Sequence, residues 1–408
     1  MSSMDLDAFK AKAIAFLDGV STRRSVEDGP FVWGQGSDNV AIVEETDEES
    51  EAEMVAKAKE WAAARYDAGF GWINGPVEFG GEGLPNEYAT AYRALEQKYE
   101  VPDLSIFMIN LGMVGPTVAV HARPEVKADV LPKLYRGDWV SCQLFSEPTA
   151  GSDLAAVSAK AVRDGDEWVV TGQKVWTSNA HLADVGEILC RTDPDAPKHA
   201  GITGFLVDMK APGVEVRPLR QMTGGAAFNE VFFDEVRIPD TWRLGEVNEG
   251  WGVAMTTLMS ERASIGSGMG LGPGPGPFER LTTMVEHFGV GDDPLIRMEL
   301  ANLYLHHHVV ALTTKRYLDR VKAGGFPGPE MSISKLAGTY QLQRISDFVT
   351  RVLGPRLTAD TGEWGTFAWR HMVCGMPGAR LGGGTDEIIK NILGERVLGL
   401  PREPKPQS

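Results

Sequence analysis

The sequence predicts an α+β protein with segregated parts: an N-terminal α-helical domain over 1–138, a middle antiparallel β-barrel domain over 139–239 and a C-terminal four-helix bundle over 240–408. Three observations predict this. Apolar residues recur at helical spacing from Asp5 to about Asp138. Short β-branched runs set off by Gly, Pro and Asp then fill roughly a hundred residues after Trp139. Helical spacing returns after Pro239. Strands grouped apart from helices disfavour a fold built from alternating βαβ units, and no internal repeat is present. At 408 residues and 44.3 kDa the chain is also longer than one hydrophobic core ordinarily serves.

In chain order, Met1–Val20 reads as an amphipathic helix with acidic Asp5 and Asp7. It lacks the basic start and apolar run of a secretion signal. Glu44–Glu53 carries seven acidic residues in ten, the mark of a solvated entry into the next helix. The turn-rich run Asn74–Gly83 breaks the first helical part. Strands are expected at Ser158–Arg163, Glu167–Thr171, Glu187–Arg191, Gly204–Met209, Val214–Leu219 and Glu230–Ile238. Asp164-Gly165-Asp166 supplies a hairpin turn between the first two. In the last part, Asp293 and Pro294 form a favoured helix start. Ile296, Leu300, Leu303, His307, Val310, Thr314, Tyr317 and Val321 then follow at steps of three and four, as in a bundle seam. A second long helix, from about Glu330, stops at Gly354-Pro355.

Composition excludes several function classes. A net charge of −16 and a pI near 5.0 oppose nucleic-acid or anionic-membrane partners, which need a positive surface field. No run approaches the ~20 apolar residues of a membrane-spanning helix. The cysteines Cys142, Cys190 and Cys374 fit neither a disulfide framework nor a zinc spacing, so a reducing, cytoplasmic setting is expected. His306-His307-His308 lies inside a helix, where adjacent side chains diverge, and no metal site is expected. Gly266–Pro277 reads as a flexible interhelix loop.

Chemistry concentrates in Phe145-Ser146-Glu147-Pro148-Thr149-Ala150-Gly151-Ser152-Asp153 and in Gly172-Gln173-Lys174-Val175-Trp176-Thr177-Ser178-Asn179. Hydroxyls, small residues and accessible amides suit the polar rim and phosphates of a planar cofactor, and Trp176 offers a ring face. At this spacing the two motifs resemble the signatures of the acyl-CoA dehydrogenase family. The loop Pro76–Pro85 and the tail Gly382–Leu398 resemble that family as well.

The resemblance implies FAD as cofactor, an acyl-CoA substrate, an electron-transfer flavoprotein as acceptor and a homo- or hetero-oligomer. It implies that Phe145, Ser146, Gly151, Ser152, Trp176 and Ser178 line the flavin, with Ser152 also reaching CoA and Ser178 bonding flavin N5. At the other end it implies Thr385 and Glu387 as cofactor contacts, with Glu387 standing where Gln is frequent. The Gly383 amide would face the thioester oxygen. In much of the family the catalytic Glu occupies the position of Gly383. Here the base is expected at Glu261, followed by Arg262 at the substrate, in Leu258-Met259-Ser260-Glu261-Arg262, as in the isovaleryl and long-chain types. Two departures stand out. Val285 replaces an Arg that a neighbouring subunit often lends to the FAD pyrophosphate, which points to a heteromer sharing its FAD site. Arg351 replaces a Gln and is expected to meet phosphate. A flavin monooxygenase or oxidase on the same fold is the alternative reading.

Overall fold

A computed structural model describes residues 5–24, 31–40, 48–266, 276–322 and 328–402. The chain forms two units: Met1–Glu27, Thr46–Arg220 and Ala226–Ser260 make the first, and Asp28–Glu45, Gln221–Gly225 and Glu261–Ser408 the second.

The first unit begins with helix α1 (Leu6–Val20), whose N-cap Asp5 accepts from the Asp7 amide. Phe9, Ala13 and Leu17 recur every fourth residue and bury one face against Trp61, Phe70, Tyr88 and Tyr92. A short ribbon joins β1 (Thr22–Arg23) to β2 (Tyr99–Glu100). Helices α2 (Glu48–Asp67) and α3 (Asn86–Glu96) flank the turn-rich loop, where Tyr66 donates to Gly80 O at 2.7 Å. Gly80 sits there at φ +91°, a conformation that favours glycine. Of the acidic stretch, residues 44–47 lie outside the described residues, and α2 starts at Glu48. A π-helical turn (Asn110–Val114) leads into α4 (Gly115–His121) and α5 (Pro124–Arg136).

One eight-stranded sheet follows: β3 (Ser141–Leu144), β4 (Lys160–Asp164), β5 (Glu167–Ser178), β6 (Val185–Arg191), β7 (Ile202–Asp208), β8 (Val214–Leu219), β9 (Phe228–Pro239) and β10 (Arg243–Leu244). Its order is β10-β7-β6-β4-β5-β9-β8, with β3 beside β6. The expected hairpin joins β4 to β5, with Gly165 at φ +62°. Trp168, Val170, Ile188, Phe205, Val231 and Phe233 converge from four strands on one cluster, so the sheet curls about a single core. Trp168 meets Phe205 across it, ring centres 5.3 Å apart.

The sheet is mainly antiparallel, as expected, and departs from the expected strands in two features. Strand β3 was not among the expected strands, and it pairs in parallel with β6. Strand β5 continues through Ser178 instead of stopping at Thr171, because β9 pairs along its length across two register shifts. Gly172 permits this, since a Cβ there would stand 2.6 Å from the Ala159 Cβ. Helix α6 (Gly250–Gly266) completes the chain of the first unit and continues into the second.

The second unit contains α7 (Glu279–His287), α8 (Pro294–Lys322), α9 (Ser332–Leu353), α10 (Trp369–Ala379) and α11 (Asp386–Ile392). Asp293 caps α8 as expected, accepting from the Leu295 amide at 2.8 Å. Of the expected seam, Ile296 and Leu303 are buried, Leu300, Val310 and Thr314 are half-buried, and His307 is exposed. The side chains of Tyr317 and Val321 lie outside the described residues, as do 267–275 of the Gly266–Pro277 loop. Helix α9 ends where expected, with Gly354 at φ +52°. Arg280 is buried between Trp364 and Trp369 and donates to the carbonyls of Asp38 and Asn39, fixing the segment 31–40 within this unit.

Candidate functional site

In the first unit the loop Phe145–Asp153 leaves β3 and closes on itself. The Glu147 amide donates to Ala150 O at 2.9 Å and the Ala150 amide to Glu147 O at 3.0 Å. Phe145 and Ala150 turn inward to a small apolar cluster with Leu154 and Ala254. Gly151, Ser152 and Asp153 face outward, and a Cβ on Gly151 would meet nothing within 4 Å. The loop lies against the bulged end of β5, where the Val175 amide donates to Ser146 O at 2.9 Å.

At that bulge Trp176 has φ +60° and Asn179 φ +55°. A bulky side chain in the left-handed region is a steric outlier, held there by the surrounding sheet. Trp176 is 62% exposed, edge-on to Phe228, so one face of the indole is open. Ser146 and Ser178 are half-buried beside it. The structure thus brings Ser146, Gly151, Ser152, Trp176 and Ser178 onto one ledge, with Phe145 turned into the core at its edge: an open aromatic face, an exposed and two half-buried serines and a loop without a crowding Cβ. That donor set fits FAD, a planar ring system with a polar, phosphate-bearing chain.

Beneath the ledge lies a pair that the sequence motifs contain but to which no role was assigned. Lys174 is wholly buried and its ammonium donates to Glu147 Oε1 (2.8 Å), Leu189 O (2.7 Å) and Phe145 O (3.2 Å). Glu147, 5% exposed, also accepts from the Ser158 amide and hydroxyl and from the Ala159 amide. Burial works against the Glu147 anion, yet Lys174 and these amides hold its pKa below the ordinary value. The signal available in the sequence was a Glu and a Lys, one in each of the two motifs.

A second buried acid, Glu187 on β6, has no basic partner among the described residues. Its Oε1 lies 2.6 Å from the Thr257 hydroxyl of α6, which is 2.9 Å from Thr117 of α4. Thr256 and His121 bond in parallel at 2.8 Å, so α6 is fastened to α4 and β6 at adjacent residues. Burial pushes the Glu187 carboxyl up to about 8, against a smaller lowering by Thr257.

In the second unit Glu261 follows on α6 and is half-buried, while the side chain of Arg262 lies outside the described residues. Gly383 and Gly384 both adopt left-handed backbone, at φ +67° and +90°. Thr385 caps α11 by accepting from the Ile388 amide, and Glu387 is exposed on its first turn. Asp386 is buried and bonds Arg380, Thr339 and Lys335, and Lys335 also donates to Gly384 O at 2.7 Å. Arg351 is not brought to this turn. It lies sixteen residues beyond Lys335 on α9, roughly 24 Å along the helix, and pairs with Glu299. Val285 is buried in the core of this unit. Among the described residues no group of three or more His, Cys, Asp or Glu could hold a metal ion, and no helix is long and apolar enough to cross a membrane.

Residues 142–236 match the acyl-CoA dehydrogenase middle domain and residues 248–398 the C-terminal domain of the same family. Acyl-CoA dehydrogenase FadE34 of Mycobacterium tuberculosis is 39% identical over 80% of this chain, which spans only 44% of that relative. Acyl-CoA dehydrogenase IpdE1 of the same organism is 34% identical over 87% of this chain and 91% of its own length. Among solved structures, the Tcur3481-Tcur3483 steroid ACAD aligns over 98% of this chain and 100% of its own at TM-score 0.74 and 26% identity. The ChsE4-ChsE5 complex from Mycobacterium tuberculosis aligns over 99% and 100% at 0.69 and 25%. More than half of the chain is matched by two domains of one family, in their expected order, and a relative is matched along nearly its whole length. The chain therefore belongs to the acyl-CoA dehydrogenase family, a family of FAD-dependent oxidoreductases.

Proposed function

We propose that the chain oxidises the α,β carbon–carbon bond of an acyl-CoA thioester to the trans-2-enoyl-CoA and hands the electrons to an electron-transfer flavoprotein. The observation that carries this reading is the ledge around Trp176, which suits FAD and sits on residues matching the family's motif. Bound FAD supplies a two-electron acceptor that takes the β-hydride. The Glu261 carboxylate takes the α-proton, because Gly383 has no side chain to do so. The Gly383 amide donates to the thioester oxygen, where negative charge grows as the proton leaves. Ser178 orients the flavin, Ser152 also meets CoA and Arg262 meets the substrate, while Thr385 and Glu387 contact the cofactor. The test is Glu261→Gln: FAD binding is retained and flavin reduction by substrate falls at least ~100-fold, whereas near-normal reduction removes Glu261 from the mechanism.

The finer reading is a ring-bearing acyl group and an FAD site shared with a homologous partner chain. The names of two relatives support the first part, a steroid ACAD and a cyclohexane-1-carbonyl-CoA dehydrogenase. Support for the second comes from Val285, from the greater length of FadE34 and from a relative solved as a complex. A row of exposed apolar residues on α8, Met298, Leu305, Val309 and Leu312, fits the bundle helices of such a partner. A panel of acyl-CoA thioesters with a dye acceptor tests the substrate class: ring-bearing acyl groups are expected to exceed straight chains about tenfold in kcat/KM, the size of effect available to an apolar pocket.

A further inference from the structure

We infer that Lys174 and Glu147 are positioning residues that set the cofactor ledge from beneath before FAD arrives. The inference rests on the ledge being the FAD site. The Lys174 ammonium has three protons and three acceptors, and these acceptors tie β5 to two segments that must stay in register with it: the loop, through Phe145 O at its start and Glu147 Oε1 within it, and β6, through Leu189 O. Glu147 in turn gathers both donors of Ser158 and the Ala159 amide, from the segment entering β4. One buried ion pair thereby joins β5, β6, the loop and the approach to β4, with the charges matched and the carboxylate accepting four hydrogen bonds.

The placement relative to the ledge is the second observation. Lys174 precedes Trp176 by two residues, and the register shift in the β5–β9 pairing begins at Lys174 and ends at Thr177. Strained Trp176 lies inside that irregularity, so the backbone on one side of it is anchored by the buried ammonium. On the loop side, the reciprocal Glu147–Ala150 amide bonds leave Gly151 and Ser152 facing outward. A buried pair of this kind contributes little net stability compared with an apolar substitute, but it specifies one arrangement. The arrangement specified here is the one that presents an open indole face and the exposed Gly151 and Ser152 to a flat ligand. Binding FAD then requires no reordering of the loop, which preserves affinity.

The test uses the assembled flavoprotein. Lys174→Met removes the ammonium while keeping an unbranched buried chain. FAD release on dilution, followed by flavin fluorescence, should show affinity weakened at least ~30-fold, and the visible circular dichroism of the remaining bound flavin should change. The thioester KM of the FAD-saturated variant should move less than ~3-fold. The double variant Lys174→Met/Glu147→Gln, which leaves no orphan charge, should regain folding stability without regaining FAD affinity. A purely structural pair predicts that both return together, and that outcome overturns the inference. If Lys174→Met does not fold, Ser158→Ala, which takes away one donor to Glu147, should weaken FAD about 3-fold with secondary structure intact, and unchanged affinity would refute the idea. Hydrogen exchange on the FAD-stripped protein gives an independent measurement: the Glu147, Ala150, Ser158 and Ala159 amides should already be protected, and rapid exchange there would show that FAD, not the pair, orders the loop. Trp176→Ala separates the underlying reading from this one. If it leaves FAD affinity and spectrum unchanged, the ledge is not the FAD site. If it alters them while Lys174→Met does not, only the positioning role falls.

Discussion

A carboxyl kept protonated in a protein interior makes stability depend on pH in an unusual range. Glu187 is such a group, with a pKa of about 8 in the folded chain against an ordinary 4.5. Between those values the folded state holds a proton that the unfolded state has released, so stability falls as pH rises through this window and levels off above it. Glu187→Gln should flatten that slope and raise stability at pH 7 by about 1–3 kcal/mol, the balance of the proton linkage and a buried amide. Urea unfolding of both proteins at pH 5 and pH 8.5 checks this, with a difference between them that widens at the higher pH. Gly383 carries a second residue-scale prediction. Because its φ is +67°, adding Gly383→Glu to Glu261→Gln places the new acid in strained backbone costing about 1–2 kcal/mol. Flavin reduction in that double variant should recover only in part, as stopped-flow absorbance would show. The candidate acids and hydroxyls were named through the resemblance of their motifs to one family, since residue type alone reads them as loop and surface residues. The burial of Lys174, Glu147 and Glu187 was not legible, since a charged residue in a sequence reads as exposed until the strands that cover it are placed.

At the scale of elements, period and turn chemistry found most helices and strands, and the misses share a cause. Strand β3 is four residues long, too short for alternation to register, and it exists because β6 accepts it as a parallel neighbour. The second half of β5 resembled a loop because Gly172, Gln173 and Lys174 are poor strand formers, and only pairing with β9 overrides them. The pattern on α8 was read as one seam, whereas the helix carries apolar residues on two faces: Ile296 and Leu303 inward, and Met298, Leu305, Val309 and Leu312 outward. Leu305→Glu with Leu312→Glu should therefore shift the assembled protein toward single chains in sedimentation while leaving its helical content intact. Helix α7 makes the opposite case, since Val285 is 5% exposed and faces its own core. Val285→Arg should not restore a self-sufficient FAD site. It should lower stability by about 2–4 kcal/mol by burying an unpaired charge, measurable as a shift in the denaturant midpoint.

At the scale of the whole molecule, the three-part order of helices, sheet and helices was legible because the texture of the sequence changes sharply at both joints. The expectation of a shared FAD site rests on the side chain missing at position 285. Co-expression with an adjacent homologous chain should raise FAD occupancy, read as the ratio of 450 to 280 nm absorbance, above that of the lone chain. Equal and full occupancy of a homo-oligomer would reject the shared site. One residue on the ledge also bears on how such a fold drifts over generations. Trp176 holds a backbone conformation that most side chains avoid and exposes its ring to water. A lineage that gave up the cofactor would have nothing opposing replacement at this position, and Asn, at home in left-handed backbone, would make the bare protein about 1 kcal/mol more robust. Trp176→Asn is thus expected to harden the cofactor-free protein against heat and to blunt its hold on the flavin, so that a relative lacking Trp at this place would be suspect as an enzyme before any assay was run.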